Sequence, residues 1–101
     1  MTLKAGQPLA VTAREYKFDP KNVNVDAGGK ATTVSIKLHN AGGLAHDLRI
    51  GKGGSELGGT PIVLGDKDAG ATVKLAPGSY TFFCSVGDHE QLGMKGRLTV
   101  R

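Results

Sequence analysis

Thr33-Val34-Ser35-Ile36-Lys37-Leu38 sets Val34, Ile36 and Leu38 on one side of an extended chain and Thr33, Ser35 and Lys37 on the other. An alternation of period two belongs to a β-strand with one face on a core and one in water. The pattern recurs outward in both directions. Upstream, Leu9 and Val11 alternate, Tyr16 and Phe18 flank a short extended piece ending at Asp19-Pro20, and Val23 alternates with Val25. Downstream come Val73 with Leu75, then Tyr80, Phe82 and Cys84, and finally Leu98 with Val100. Turn residues separate these runs at Ala27-Gly28-Gly29, Ala41-Gly42-Gly43, Gly65-Asp66, Pro77-Gly78 and Gly87-Asp88. No segment has a helical period.

The expectation is therefore an all-β chain of about seven or eight short strands. Evenly spaced short strands in a chain of this length predict a two-sheet antiparallel β-sandwich with Greek-key connections. Residues 1–101 read as a single domain with one core, no linker and no internal repeat. The segment 51–60 is the least patterned and holds five glycines. It lacks the Gly-x-x-x-x-Gly-Lys-Ser/Thr order of a phosphate loop, so it reads as a flexible crossover between sheets.

Composition excludes several classes. No stretch approaches the length of apolar chain that spans a bilayer. The opening, MTLKAGQPLA, is too polar for a secretory h-region. That leaves a cytoplasmic protein, or a mature domain whose export signal or anchor has been removed. Lys and Arg number 13 against nine Asp and Glu, but they are scattered along the chain. With two tyrosines, three phenylalanines and no tryptophan, there is neither a basic stripe nor a stacking platform for nucleic acid. The charge reads as a solvated, mildly cationic surface that points only weakly to an acidic partner.

One stretch carries chemistry. Cys84, His89 and Met94 stand at C-x4-H-x4-M, between a strand ending at Cys84 and another opening near Gly96. A loop so short, closed by two strands, folds back on itself and brings its donors to one point at the tip of the sandwich. His46 follows the Gly42-Gly43 turn on another strand and supplies a fourth donor. A thiolate, two imidazoles and a weak thioether form the donor set of a trigonal blue-copper site. Zinc accepts Cys and two His but has little use for a thioether. The lone Cys84 has no partner for an internal disulfide, and a buried structural thiol is its plain alternative. His39 alternates away from Val34, Ile36 and Leu38, so it reads as an exposed strand-end residue.

These segments resemble the cupredoxins, the plastocyanin/azurin superfamily. Glu15-Tyr16-Lys17-Phe18 with Pro20, Val23 and Val25 is similar to the family's opening strands. The run from His39 to Asp47 is similar to the segment carrying its first histidine, and Tyr80–Ser85 with Gly93–Val100 to its ligand loop and last strand. The x4–x4 spacing is similar to that of rusticyanins and auracyanins. The resemblance implies a one-electron carrier, not an enzyme, with one copper ion held by His46, Cys84, His89 and Met94. It also implies the Ala45 carbonyl as a possible weak extra donor. Implied partners are redox proteins docking near His89, within an apolar patch drawn from Leu44, Leu92, Val86 and the Gly42-Gly43 turn. A monomer in a periplasmic or extracytoplasmic location is expected. The alternatives are a domain cut from a larger copper enzyme, or a copper-delivery protein. Against the enzyme, Phe83 and Ser85 flank Cys84, where a multicopper enzyme typically places a histidine.

Two positions depart from the commonest family pattern. Asp47 stands where many relatives have Asn; it either fixes the His46 strand against the Cys84 loop and tunes the copper, or simply substitutes for Asn. The segment Ser85-Val86-Gly87-Asp88 lacks the family's frequent Pro, which leaves the Val86 N–H free to point at the sulfur alongside that of Asp47. Phe83 faces away from Tyr80 and Phe82, toward solvent or a cross-strand neighbour.

Overall fold

The computed structural model describes all of residues 1–101. Tyr16 apart, the large apolar residues of the alternating runs point inward. The strands are β1 (Thr2–Lys4), β2 (Leu9–Arg14), β3 (Lys17–Asp19), β4 (Asn22–Asp26), β5 (Thr32–Asn40), β6 (Arg49–Lys52), β7 (Ser55–Gly59), β8 (Asp68–Leu75), β9 (Gly78–Phe83) and β10 (Lys95–Val100). They build two sheets, ordered β1-β4-β10-β9-β6-β7 and β3-β2-β5-β8. The all-β sandwich read from the sequence is present.

Its pairings differ from the antiparallel expectation. β4 lies parallel to both β1 and β10, and β2 lies parallel to β5, so both sheets are mixed. Alternation tells which face of a strand is buried but not which way its neighbour runs. Parallel neighbours need a chain that leaves the sheet and returns. Here β2 and β5 are joined by way of β3 and β4, with β4 in the opposite sheet. The strand count is ten: beyond the seven alternating runs the chain forms β1, a three-residue piece too short to show a period, and the pair β6 and β7.

The segment 51–60 is also corrected. It is no crossover: β6 and β7 form a hairpin, with Lys52 opposite Ser55 and Gly53-Gly54 as its two-residue turn. Both glycines have positive φ, 57° and 85°. That is the requirement of a type I′ turn, which explains the glycine enrichment.

The inward faces meet in a core of 20 buried apolar residues. Phe18 from the smaller sheet packs on Phe82 from the larger, with ring centroids 5.4 Å apart and planes tilted by 58°. Gly96 on β10 makes this contact possible, since a Cβ there would lie 2.4 Å from the Phe82 ring and 2.4 Å from the Lys21 carbonyl. Along β9 the inward positions are Tyr80 and Phe82, and Cys84 continues them one step past the strand. The core thus runs directly into the residues of interest.

Because one of those two close contacts is rigid backbone, Gly96→Ala should destabilise the fold by about 1–3 kcal/mol through overpacking. Urea unfolding should show a lower midpoint at unchanged slope; an unchanged midpoint would mean that β10 shifts freely.

Candidate metal centre

Cys84 follows β9 and Met94 precedes β10, and the Cys84 N–H donates to the Met94 carbonyl at 3.1 Å. This bond adds one rung to the β9–β10 ladder and closes the loop between them. Inside the loop, turns follow one another. The His89 N–H donates to the Val86 carbonyl, the Leu92 N–H to Asp88 and His89, and the Met94 N–H back to His89 at 3.1 Å. Gly87, with φ of 51°, supplies the left-handed residue that starts the reversal.

His46 arrives from the other side on an isolated bridge to Val63, with N–H···O distances of 3.0 and 2.8 Å. The buried Asn40 organises the chain leading to it. Its side-chain amide donates to the carbonyls of Leu44 and Val63, and its oxygen accepts from the Gly42 N–H.

These supports bring His46, Cys84 and His89 together, all buried, with donor atoms within 4.8 Å of one another. The Cys84 Sγ lies 3.8 Å from His46 Nδ1 and 3.5 Å from His89 Nδ1. A sulfur about 2.3 Å and a nitrogen about 2.0 Å from one ion stand roughly 3.5–3.7 Å apart at tetrahedral or trigonal angles. The three side chains therefore already have the spacing of a shared first-row metal. Met94 is fully buried at the end of the same loop. His39 stays apart, exposed on β5 with its Nδ1 against the Asp68 carboxylate, as its alternation predicts.

Surrounding groups set the character of each donor. Burial pushes the Cys84 thiol above its ordinary range. Backbone N–H groups of Asp47 and Val86, directed at the sulfur, pull the other way, whereas the Asp47 charge pushes up again. The Val86 N–H left free by the Pro-free loop thus acts on the thiol in the same direction as the Asp47 N–H. Asp47 accepts from the Ser85 N–H at 2.6 Å and from the Ser85 hydroxyl, and so ties the His46 strand to the Cys84 loop. Phe83 is half-buried over Gly51 of β6, the cross-strand alternative.

Three contributors were not visible in the sequence. Glu15 and Tyr16 form the turn of the β2–β3 hairpin, not a strand, and both reach the centre. Glu15 Oε1 lies 3.0 Å from His46 Nε2. Accepting that N–H leaves the Nδ1 lone pair facing the sulfur, which fixes the tautomer a metal requires. Gly42 is what lets the carboxylate in, since a Cβ there would sit 2.4 Å from Glu15 Oε1. The Tyr16 ring packs on His89 at 5.1 Å and 56°. Asn40 is the third; an Asn ahead of a glycine pair is its only sequence signal.

A family model of copper binding proteins, the plastocyanin/azurin family, matches residues 7–101. The chain belongs to that family. As a cupredoxin it takes one copper ion, in keeping with its buried His-Cys-His group. No curated protein sequence matches it. Among solved structures it is similar to dithionite-reduced auracyanin from Roseiflexus castenholzii (TM-score 0.83, 21% identity), covering 96% of this chain and 98% of that one. It is also similar to auracyanin A of Chloroflexus aurantiacus, a "blue" copper protein (0.77, 23%), over 94% of this chain and 100% of that one. An azurin from Methylomonas sp. strain J matches at 0.80 and 19% identity, over 96% and 99% of the two chains. These likenesses show the shared cupredoxin fold.

The apolar surface of this cupredoxin differs in part from expectation. Leu44 and Leu92 are exposed, but Val86 is half-buried against the core. Tyr16 takes a place beside His89 that the sequence did not suggest.

Glu15 supplies a pH test. Chiefly the Leu44 N–H, opposed by burial and helped by the Gly43 N–H and His46, holds its carboxyl down from 4.5 to about 2. A depressed carboxyl contributes stability above its unfolded pKa and loses it as the pH falls through the folded one. Metal-free wild type should therefore lose stability between pH 4.5 and about 2 more steeply than Glu15→Gln. Urea midpoints across that window would converge near the acid end; parallel curves would contradict the assignment.

Proposed function

We propose that this chain is a one-electron carrier whose single domain, residues 1–101, holds copper through His46, Cys84, His89 and Met94. The observation that carries this reading is the buried Sγ with two imidazole Nδ1 atoms at 3.5 and 3.8 Å, on supports that need no rearrangement. Copper, when bound, supplies the Cu(I)/Cu(II) couple. Cys84 would hold the ion as thiolate, the two histidines as neutral nitrogen donors, and Met94 as a weak thioether donor. The chain's own part is to keep these donors still. Asp47, Glu15 and the Cys84–Met94 backbone bond each remove a way for the loops to relax. Such rigidity keeps reorganisation small when the charge changes.

Redox proteins are the proposed partners, meeting the carrier at the His89 end beside exposed Leu92 and Leu44. An extracytoplasmic location suits such a carrier, and no helix here is long and apolar enough to cross a membrane. A catalytic role is not proposed, since Phe83 and Ser85 leave no histidine beside Cys84 to wire a second copper. Delivery calls for exposed, exchangeable donors, whereas these are buried.

Adding Cu(II) should produce an intense visible thiolate charge-transfer band and a reversible one-electron wave, and Cys84→Ser should abolish both. A colourless adduct, or one that does not cycle, would refute the carrier.

Val86→Pro gives a finer test. Proline removes one N–H from the sulfur, and hydrogen bonding around that sulfur tunes the potential. Voltammetry should find the potential lowered, because a donor to the thiolate favours the reduced ion; no change would mean that the Val86 N–H is electrically silent.

A further inference from the structure

Arg14, Lys17, Lys21, Lys95 and Arg97 are dispersed in the sequence and read there as general surface charge. The fold gathers them. Arg14 and Lys17 are cross-strand partners on the β2–β3 hairpin, both exposed. They line a shallow groove together with Asp19 and Lys21. Lys21 sits where the chain turns the edge of the sandwich, and its carbonyl accepts from the Arg97 N–H at 2.7 Å. There it lines the adjoining groove with Lys95, Arg97 and Glu90. The result is a basic ridge wrapped around one edge.

None of the five cations is paired. The ion pairs of the molecule use Arg49, Arg101, His39 and His46. Five cations against Asp19 and Glu90 leave a local excess of three, which is most of the chain's net charge of +4. The ridge begins beside the metal centre. Lys17 follows Tyr16, whose ring packs on His89, and Lys95 follows Met94, whose N–H bonds the His89 carbonyl.

We propose that this ridge is the recognition surface for an acidic protein partner, which it steers onto the His89 end; the inference rests on the carrier reading. Unpaired charges concentrated beside an electron port raise the rate of productive encounter and set its orientation. The shape favours a protein over a bilayer, because the cations wrap an edge and a flat anionic surface reaches only one side of it. Nucleic acid is disfavoured because Tyr16 is the single large aromatic residue among the exposed apolar side chains.

The test is an amide-NMR titration with poly-L-glutamate, run on the Cu(I)-loaded chain and again without metal. Shifts should concentrate on residues 14–21 and 95–97 and fade with added NaCl. Lys17→Gln/Lys21→Gln/Lys95→Gln should bind about tenfold more weakly. Lys30→Gln/Lys37→Gln/Lys74→Gln removes equal charge elsewhere and should bind as wild type does. Equal weakening by both triple variants, or shifts spread over the whole surface, would overturn the proposal in favour of net charge alone. Response of these amides to phosphatidylglycerol vesicles but not to poly-L-glutamate would overturn it in favour of a membrane. Since the titration needs no electron transfer, its failure leaves the carrier reading intact, and a missing blue band leaves the titration valid.

Discussion

The hydrogen bond from the Cys84 N–H to the Met94 carbonyl is the constraint on which the centre depends. It extends the β9–β10 ladder by one rung, with Phe83 opposite Lys95 as the rung before it. Those strands are anchored in turn by Phe82 and Leu98, both fully buried in the core. The loop between Cys84 and Met94 therefore begins and ends at fixed points. Its own turns then decide where His89 goes, and the only freedom left is the approach of His46 from outside.

The two histidines are held by different means. His46 has a backbone bridge to Val63 behind it, Glu15 at its outer nitrogen, and the Asp47–Ser85 link beside it. His89 depends on the turns of its own loop and on the Tyr16 ring. Glu15 and Tyr16 are neighbours, so a single hairpin turn braces both imidazoles at once. This arrangement explains why β3 exists although it is only three residues long. Phe18 anchors it in the core, and the anchored hairpin presents its turn to the centre.

What was legible in the sequence followed from local rules. Alternation along Thr33–Leu38 and Tyr80–Cys84 identifies strands and their buried faces, and the C-x4-H-x4-M spacing identifies the loop that brings Cys84 and His89 together. The parallel pairing of β4 with β10 was hidden because a strand's pattern does not encode its neighbour's direction. The β6–β7 hairpin was hidden because glycines that serve a tight turn resemble glycines that serve a flexible loop. Glu15 and Tyr16 escaped because their role comes from a contact across about thirty or more residues, and no local period marks it. Likewise, the basic ridge exists only once β3 and β10 are brought to one edge.

Electrostatics at the sulfur oppose one another by construction. Asp47 places a carboxylate near Cys84 while its own backbone N–H, with that of Val86, points at the same sulfur. The carboxylate favours the more positive metal state, and the N–H groups favour the more electron-rich one. Ser85 mediates between them, because its N–H and hydroxyl take up the Asp47 oxygens that would otherwise be bare and buried. An unsatisfied carboxylate there would cost more than the link returns, so the same two hydrogen bonds that lock the loops also moderate the charge. Structural fixation and electronic tuning are thus carried by one side chain, and a change at position 47 alters both together.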